Sequence, residues 1–219
     1  MREPPEHIFE TFRREAAGKF VRLDAHLARL KSACEAKNWD YPDTDIKREL
    51  DRVSQLDAGG ALRIRLQVGR DETGLSYARI THTPFTPNTQ PLSIAVSRYA
   101  LTPKRQEAAY KTSKRQFYDG ERTRLKASHN IDEVIFLGQN SALCEGSYTS
   151  IYLEIDGQIF TPPLSANILP SILRAKLIET GKAAARDLTQ EDLIRADKIW
   201  CGNSLRGLIA ARLLTPHRL

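Results

Sequence analysis

Apolar positions along the chain switch between two spacings, and the switches mark its elements. HIFETF (7–12) and FVRL (20–23) are short apolar runs around the polar RREAAGK (13–19) with Gly18, which predicts a β-hairpin. From Asp24 the spacing lengthens. Leu27, Leu30 and Cys34 recur at three and four residues, so a helix is expected with Asp24 as N-cap and with Asn38 and Pro42 past its end. Ile46, Leu50, Val53 and Leu56 repeat that spacing in a second helix over about 43–56, stopped by Gly59 and Gly60. ALRIRLQVG (61–69) and LSYARITHT (75–83) then alternate apolar with polar residues around RDETG, a second hairpin.

PFTPNTQP (84–91) breaks the pattern with proline and asparagine and reads as a linker. Strands are expected beyond it at LSIAVSRY (92–99), DEVIFLG (132–138), SIYLEI (150–155), QIFTPP (158–163) and DKIWCGN (197–203), with Asp156–Gly157 as a two-residue hairpin turn. Helices are expected over about 113–127, in ILPSILRAKLIETGKAA (168–184) and in LTQEDLIRA (188–196). The class implied is α+β: two α/β lobes with mixed or antiparallel sheets, a small one over 1–88 and a larger one over 89–219. The hairpins argue against a doubly wound parallel sheet.

Composition narrows the class. Apolar residues make up 41% of the 219, too many for a disordered chain. No run of eighteen apolar residues occurs, so no membrane span is expected, and MREPPEHIFETF lacks the apolar region of a secretory signal. Three distant cysteines (Cys34, Cys144, Cys201) without CxxC spacing suit reduced thiols in the cytoplasm better than a disulfide framework or zinc site. The net charge of +6 is spread along the chain and mixed with acids. Its densest run, 111–126, lacks the aromatic interleaving of a nucleic-acid platform, so a solvated face or attraction of a small anionic substrate is expected instead.

The common chemical signatures are absent. There is no GxGxxG after a strand, no GxxxxGK[ST] and no GxSxG. His26 lies three residues before Arg29 on one expected helix; His7, His82, His129 and His217 are isolated, and no HxxxH or HExxH spacing supports a metal.

Seven segments together point to a family: FETFR (9–13), RLDAHLARLKSA (22–33), YKTSKRQ (110–116), DEVIFL (132–137), CEGSYTSIYL (144–153), TPPLSANILPSILR (161–174) and GNSLRGL (202–208). In that order and at those separations the chain resembles the fold-type IV pyridoxal-phosphate enzymes, which include branched-chain and D-amino-acid aminotransferases and 4-amino-4-deoxychorismate lyase. The resemblance implies pyridoxal 5'-phosphate as cofactor and Lys111 as the Schiff-base lysine. Such an amine must be uncharged near neutral pH, which desolvation and neighbouring cations favour; Lys104, Arg105, Lys114 and Arg115 are near it in sequence. Glu145 matches the carboxylate paired with the pyridine nitrogen, which keeps the ring protonated and able to accept electrons. Arg29 matches the phosphate-binding arginine. The amides of Ile172 and Leu173, at the start of the helix after Pro170, and the hydroxyl of Ser204 match further phosphate contacts.

The chain departs from the family pattern at Ser171, where glycine is usual, at Leu173, where threonine is frequent, and at Lys114 and Ser150, where asparagine is usual. Relatives also carry a first strand and a DRGxxxGDG-like segment before FET, so a trimmed first sheet is expected. GNSLRGLI is most similar to the lyases. The implied reaction on 4-amino-4-deoxychorismate releases pyruvate and 4-aminobenzoate, a folate precursor, with Lys111 moving the proton. Arg206 is a candidate partner for a substrate carboxylate and Arg13 a second. Transamination of branched-chain or D-amino acids is the alternative reaction, and a non-catalytic homologue the second alternative. A homodimer is a further implication of the resemblance.

Overall fold

In the computed structural model, which describes residues 6–101 and 109–214, strand β1 (Ile8–Arg14) puts Ile8, Glu10, Phe12 and Arg14 on one face and Phe9, Thr11 and Arg13 on the other. Its partner is not FVRL but β2 (Leu62–Arg70), antiparallel from Ile8↔Val68 to Arg14↔Leu62. The expected hairpin shrinks to one isolated bridge, Arg14↔Phe20. The reason is the apolar ladder: Leu62, Ile64, Leu66 and Val68 of β2 join Ile8 and Phe12 in one buried cluster, while Phe20 and Leu23 pack at its margin. Fully burying each such side chain contributes about 1.5–3 kcal/mol, more than a four-residue strand can match.

Strand β3 (Ser76–Pro84) completes a three-stranded antiparallel sheet in the order β1-β2-β3. Helices α1 (Leu23–Ala36) and α2 (Asp43–Ser54) bring Leu30, Ala33, Cys34, Ile46, Leu50 and Val53 to the same core. Asp24 is not the N-cap. That place belongs to Arg22 in the left-handed region (φ 55°, ψ 36°), and Asp24 lies in the first turn, where its charge suits the helix dipole.

The chain divides into two compact units, Met1–Pro87 with Tyr110–Lys114 and Asn88–Ala109 with Arg115–Leu219. The second unit holds β4 (Leu92–Val96), α3 (Gln116–His129), β5 (Glu133–Leu137), β6 (Leu143–Gly146), β7 (Ser150–Ile155), β8 (Gln158–Thr161), α4 (Ile172–Glu179), β9 (Ala184–Ala185), α5 (Gln190–Arg195), β10 (Lys198–Asn203) and β11 (Gly207–Leu213). Its eight strands run β6-β5-β4-β11-β10-β7-β8-β9. Pairing is parallel at β11–β4, β4–β5 and β8–β9 and antiparallel elsewhere, so the α+β class with antiparallel and mixed sheets is what the chain adopts. Alternation splits the burial. Ile94, Ile135, Ile151 and Leu153 pack with Leu193 of α5, whereas Ala95, Val134 and Phe136 pack with Tyr118 and Leu125 of α3.

Two expected helices are shorter. The one at 168–184 survives only as α4: Pro170 precedes it, Ser171 Oγ caps it by accepting from Arg174 N at 3.4 Å, and Gly181 (φ 67°) turns the chain into β9. The one expected at 113–127 runs from Gln116 to His129. Thr102–Pro103, Lys104 and Arg105 lie outside the described residues. Among the described residues no helix is long and apolar enough to cross a membrane.

Candidate functional site

In the first unit, residues 110–113 lie against the edge of β1. Phe9 N donates to Lys111 O at 2.8 Å, Ser113 N to His7 O at 2.8 Å and His7 N to Ser113 Oγ at 3.0 Å, with Thr112 bridged to Ile8. Lys111 is therefore held by its backbone as an added strand residue. Its Nζ lies 4.8 Å from the centroid of the Phe9 ring.

On the opposite face of β1, Glu10 is buried to 1% exposure. Arg29 grips it through Nε–H to Oε1 at 2.7 Å and Nη2–H to Oε2 at 2.6 Å, and His26 Nδ1 meets Oε2 at 2.6 Å. Burial pushes the Glu10 carboxyl up, but the Arg29 charge and the hydrogen bonds from His26 and Arg29 outweigh it and hold the group at about 2. An ionised carboxylate only accepts, so Nδ1 is the protonated nitrogen of His26. Burial lowers the pKa of His26 against the pull of Glu10, and the Arg29 and Lys111 charges act in the same direction as burial. Arg29 thus presents a guanidinium whose orientation is fixed by a bidentate pair. Arg13, on the Phe9 face, pairs with Glu15 at 2.8 Å and lies 5.4 Å from the Phe85 ring centroid.

In the second unit, Glu145 stands on β6, 8% exposed. Tyr118 OH donates to its Oε1 at 2.7 Å and Leu169 N to its Oε2 at 2.9 Å. The loop that follows is organised by a second carboxylate. Glu133 of β5 accepts from Val134 N (2.8 Å), Ser147 N (2.9 Å), Ser147 Oγ, Tyr148 N (3.2 Å) and Thr149 Oγ1 (2.7 Å). Complete burial pushes its pKa up against these donors, which favour the anion. Arg115 also donates to Ser147 O.

The α4 N-terminus and the β10–β11 turn are brought together. A Cβ placed on Gly202 would lie 2.8 Å from Leu173 Cδ2 and 2.7 Å from Gly207 O, so only glycine admits this approach. Ile172 and Leu173 open α4, where backbone N–H groups lack intrahelical partners. Ser204 is buried in the turn that follows Asn203, and Asn203 Oδ1 accepts from Arg206 N at 3.1 Å. Arg206 Nη1 donates to Asn88 Oδ1 at 2.6 Å.

The structure thus groups Lys111 with Phe9, Arg29 with Glu10 and His26, and Leu173 with Gly202. Glu10, Glu133 and Tyr118 are the supporting residues that sequence reasoning missed. For Glu10 a signal existed: His26 and Arg29, three apart on one helix, both face it. Among the described residues no group of His, Cys, Asp or Glu could hold a metal.

Comparison with known proteins follows the same lines. Residues 7–214 match the family described as amino-transferase class IV. The chain is 26% identical to the aminodeoxychorismate lyase of Bacillus subtilis, over 92% of this chain and 75% of that protein. It superposes with a TM-score of 0.80 on 4-amino-4-deoxychorismate lyase from Pseudomonas aeruginosa, at 22% identity over 97% of this chain and 84% of that one. It superposes with a TM-score of 0.85 on the PLP-bound form of a hypothetical aminotransferase from Mycobacterium tuberculosis, at 21% identity over 97% and 82%.

Proposed function

The chain belongs to the amino-transferase class IV family, whose members are pyridoxal-phosphate enzymes, and from that premise we propose that it is a 4-amino-4-deoxychorismate lyase. The reaction yields pyruvate and 4-aminobenzoate, a precursor for folate synthesis in the cytoplasm, and the working enzyme is a homodimer. The observation that carries the lyase reading is similarity to the Bacillus subtilis lyase along nearly the whole chain.

The residues present fit such a cofactor. Lys111 offers an amine on a segment fixed by backbone hydrogen bonds. Glu145 offers a buried carboxylate already oriented by two donors. In the second unit the N–H groups of Ile172 and Leu173 and the Ser204 hydroxyl are donors of the kind a phosphate takes, and in the first unit the braced guanidinium of Arg29 is another. When bound, pyridoxal 5'-phosphate supplies an electron sink.

In this reading Lys111 Nζ takes the proton from the amine-bearing carbon of the substrate. Glu145 would hold the ring nitrogen of the cofactor and favour its protonated form, with Tyr118 OH and Leu169 N keeping the carboxylate aimed. Arg29, its guanidinium oriented by Glu10, would hold the phosphate. Arg206 and Arg13 receive substrate carboxylates. Pyruvate leaves as its enol while the ring becomes aromatic.

The test uses purified protein supplied with cofactor. A visible absorption band that borohydride abolishes, with the label recovered on Lys111 by peptide mapping, is expected, and Lys111→Ala is expected to lack both. Product analysis with 4-amino-4-deoxychorismate is expected to give pyruvate and 4-aminobenzoate without a keto-acid acceptor. Conversion of the cofactor to pyridoxamine phosphate instead would assign an aminotransferase. Absence of any band or fixation would leave only a non-catalytic homologue.

A further inference from the structure

Strand β3 is an edge of the small sheet, yet α2 reaches across its outer side. In an antiparallel ladder every second residue of an edge strand turns its N–H and C=O away from its partner. On β3 these are the even positions, because Ala78 N and Ile80 N point towards α2 and not β2. Ile80 N donates to Glu49 Oε2 at 2.9 Å, and Ala78 N donates to Asp45 Oδ2 at 3.5 Å. Arg52 Nη2 donates to Ile80 O at 3.2 Å and to Glu49 Oε2 at 2.8 Å. Amide, carboxylate, guanidinium and carbonyl thus close a ring on Ile80. Both of its outward groups are satisfied, as a neighbouring strand would satisfy them.

Spacing explains how a helix can do this. Asp45 and Glu49 stand one turn apart, about 6 Å along the helix axis. Ala78 and Ile80 stand about 6.8 Å apart along the strand. The two repeats nearly match, and the mismatch falls on the Asp45 rung, the longer of the two. Each acid also has a basic partner three residues on, Arg48 at 2.8 Å from Asp45 and Arg52 at 2.8 Å from Glu49. Glu49 is held below the usual carboxylate range, first by the hydrogen bond from Arg52 and then, against burial, by the Ile80 amide and the charges of Arg52 and Arg48. Ile46, Leu50 and Val53 anchor the other face of α2 in the core, so the acids are carried to the edge on a fixed support.

We propose that α2 guards the β3 edge: Asp45, Glu49 and Arg52 act as a surrogate strand that denies this edge to the β3 strand of a second copy of the chain. Unguarded, β3 would offer outward N–H groups at 78, 80 and 82 on a segment with the strand-favouring Tyr77, Ile80, Thr81 and Thr83, a template for pairing. Two identical edges meet most simply about a two-fold axis, antiparallel. The proposal is independent of the lyase reading, and under it the homodimer of the working enzyme uses another surface.

The experiment compares the parent with Glu49→Ala/Arg52→Ala by sedimentation over a range of concentrations and by hydrogen exchange. In dilute solution the Ile80 amide of the variant is expected to exchange at least about tenfold faster, the scale of one charge-assisted hydrogen bond. As concentration rises, the variant is expected to form species larger than the parent does, and Ile80 to regain protection. Adding His82→Pro, which removes an outward N–H without touching the β2 ladder, is expected to suppress that association. Asp43→Ala/Lys47→Ala, which removes an exposed ion pair of the same helix, is expected to behave as the parent. Should the double variant fail to fold, Glu49→Gln carries the decision, with a smaller change in the same direction. A folded variant whose Ile80 amide exchanges at the parent's rate overturns the proposal. So does faster exchange without association at any concentration, or association that His82→Pro leaves undiminished.

Discussion

Glu10→Gln tests the electrostatic centre of the small unit. The substitution keeps size and removes the charge that faces His26 and Arg29. Glu10 is moved from 4.5 to about 2, and at 1.36 kcal/mol per unit the folded state gains about 3 kcal/mol from its ionisation. At 1% exposure there is little solvent screening to discount. Breaking a buried pair by removing one partner costs about 3–5 kcal/mol, the same scale. The pH window follows from the sign. A depressed carboxylate contributes in full above its unfolded pKa of 4.5 and loses that contribution as pH falls towards about 2. Between pH 7 and 4.5 the gap between parent and variant is held or widened, because the variant's His26 has lost the acceptor that favoured its protonated form. Below 4.5 the gap closes. The assay is urea unfolding of both proteins from pH 7 down to about pH 3. With a slope of roughly 2–3 kcal/mol per molar urea, a midpoint about 1–1.5 M lower in the variant is expected at pH 7. A gap under about 1 kcal/mol at pH 7, or one that persists unchanged to pH 3, would refute the reasoning.

Two other variants probe the second unit. Gly202→Ala drives a methyl group to 2.7 Å from Gly207 O and 2.8 Å from Leu173 Cδ2, so overpacking is expected to cost about 1–3 kcal/mol; calorimetry should show a lower Tm and, with α4 displaced, weaker cofactor binding. Glu133→Ala strands the donors of Val134, Ser147, Tyr148 and Thr149, at about 1–3 kcal/mol for each that water does not reach; faster hydrogen exchange at the Ser147 and Tyr148 amides is expected, and unchanged exchange there would deny that Glu133 orders the loop.

Residues with strong local periodicity were legible. Ile46, Leu50 and Val53 announce α2 by spacing alone, and all three are buried. The alternation of LRIRLQVG announces β2, because one face is core and the other is not. Where both faces are covered the signal vanishes: Leu143, Cys144, Glu145 and Gly146 of β6 are all buried and carry no alternation. In β11, alanines at 210 and 211 flatten the contrast. Pairing is another limit. The run at 7–12 reads as a strand, but nothing local says that its partner starts at Leu62 and not at Phe20. The candidate site shows the same division. Lys111, Glu145 and Arg29 stand out as candidates through ordered motifs. Glu10 does not, because a lone acid between Phe9 and Thr11 in a strand reads as an outward side chain, and only the arrival of α1 turns it into an ion-pair centre.

The backbone of residues 110–113 also has a meaning for synthesis. Ser113 meets His7 across 106 positions of sequence. A nascent chain that has delivered Pro87 holds every strand and both helices of the small sheet, yet the edge of β1 stays bare until Lys111 and its neighbours emerge. An unpaired edge invites strands from other chains. The segment bearing the candidate catalytic amine is thus also the piece that closes that edge, and contacts so distant in sequence form late. Competence for chemistry and resistance to aggregation would then be acquired in one docking event, so a lesion at Ser113 should reduce soluble yield as well as turnover.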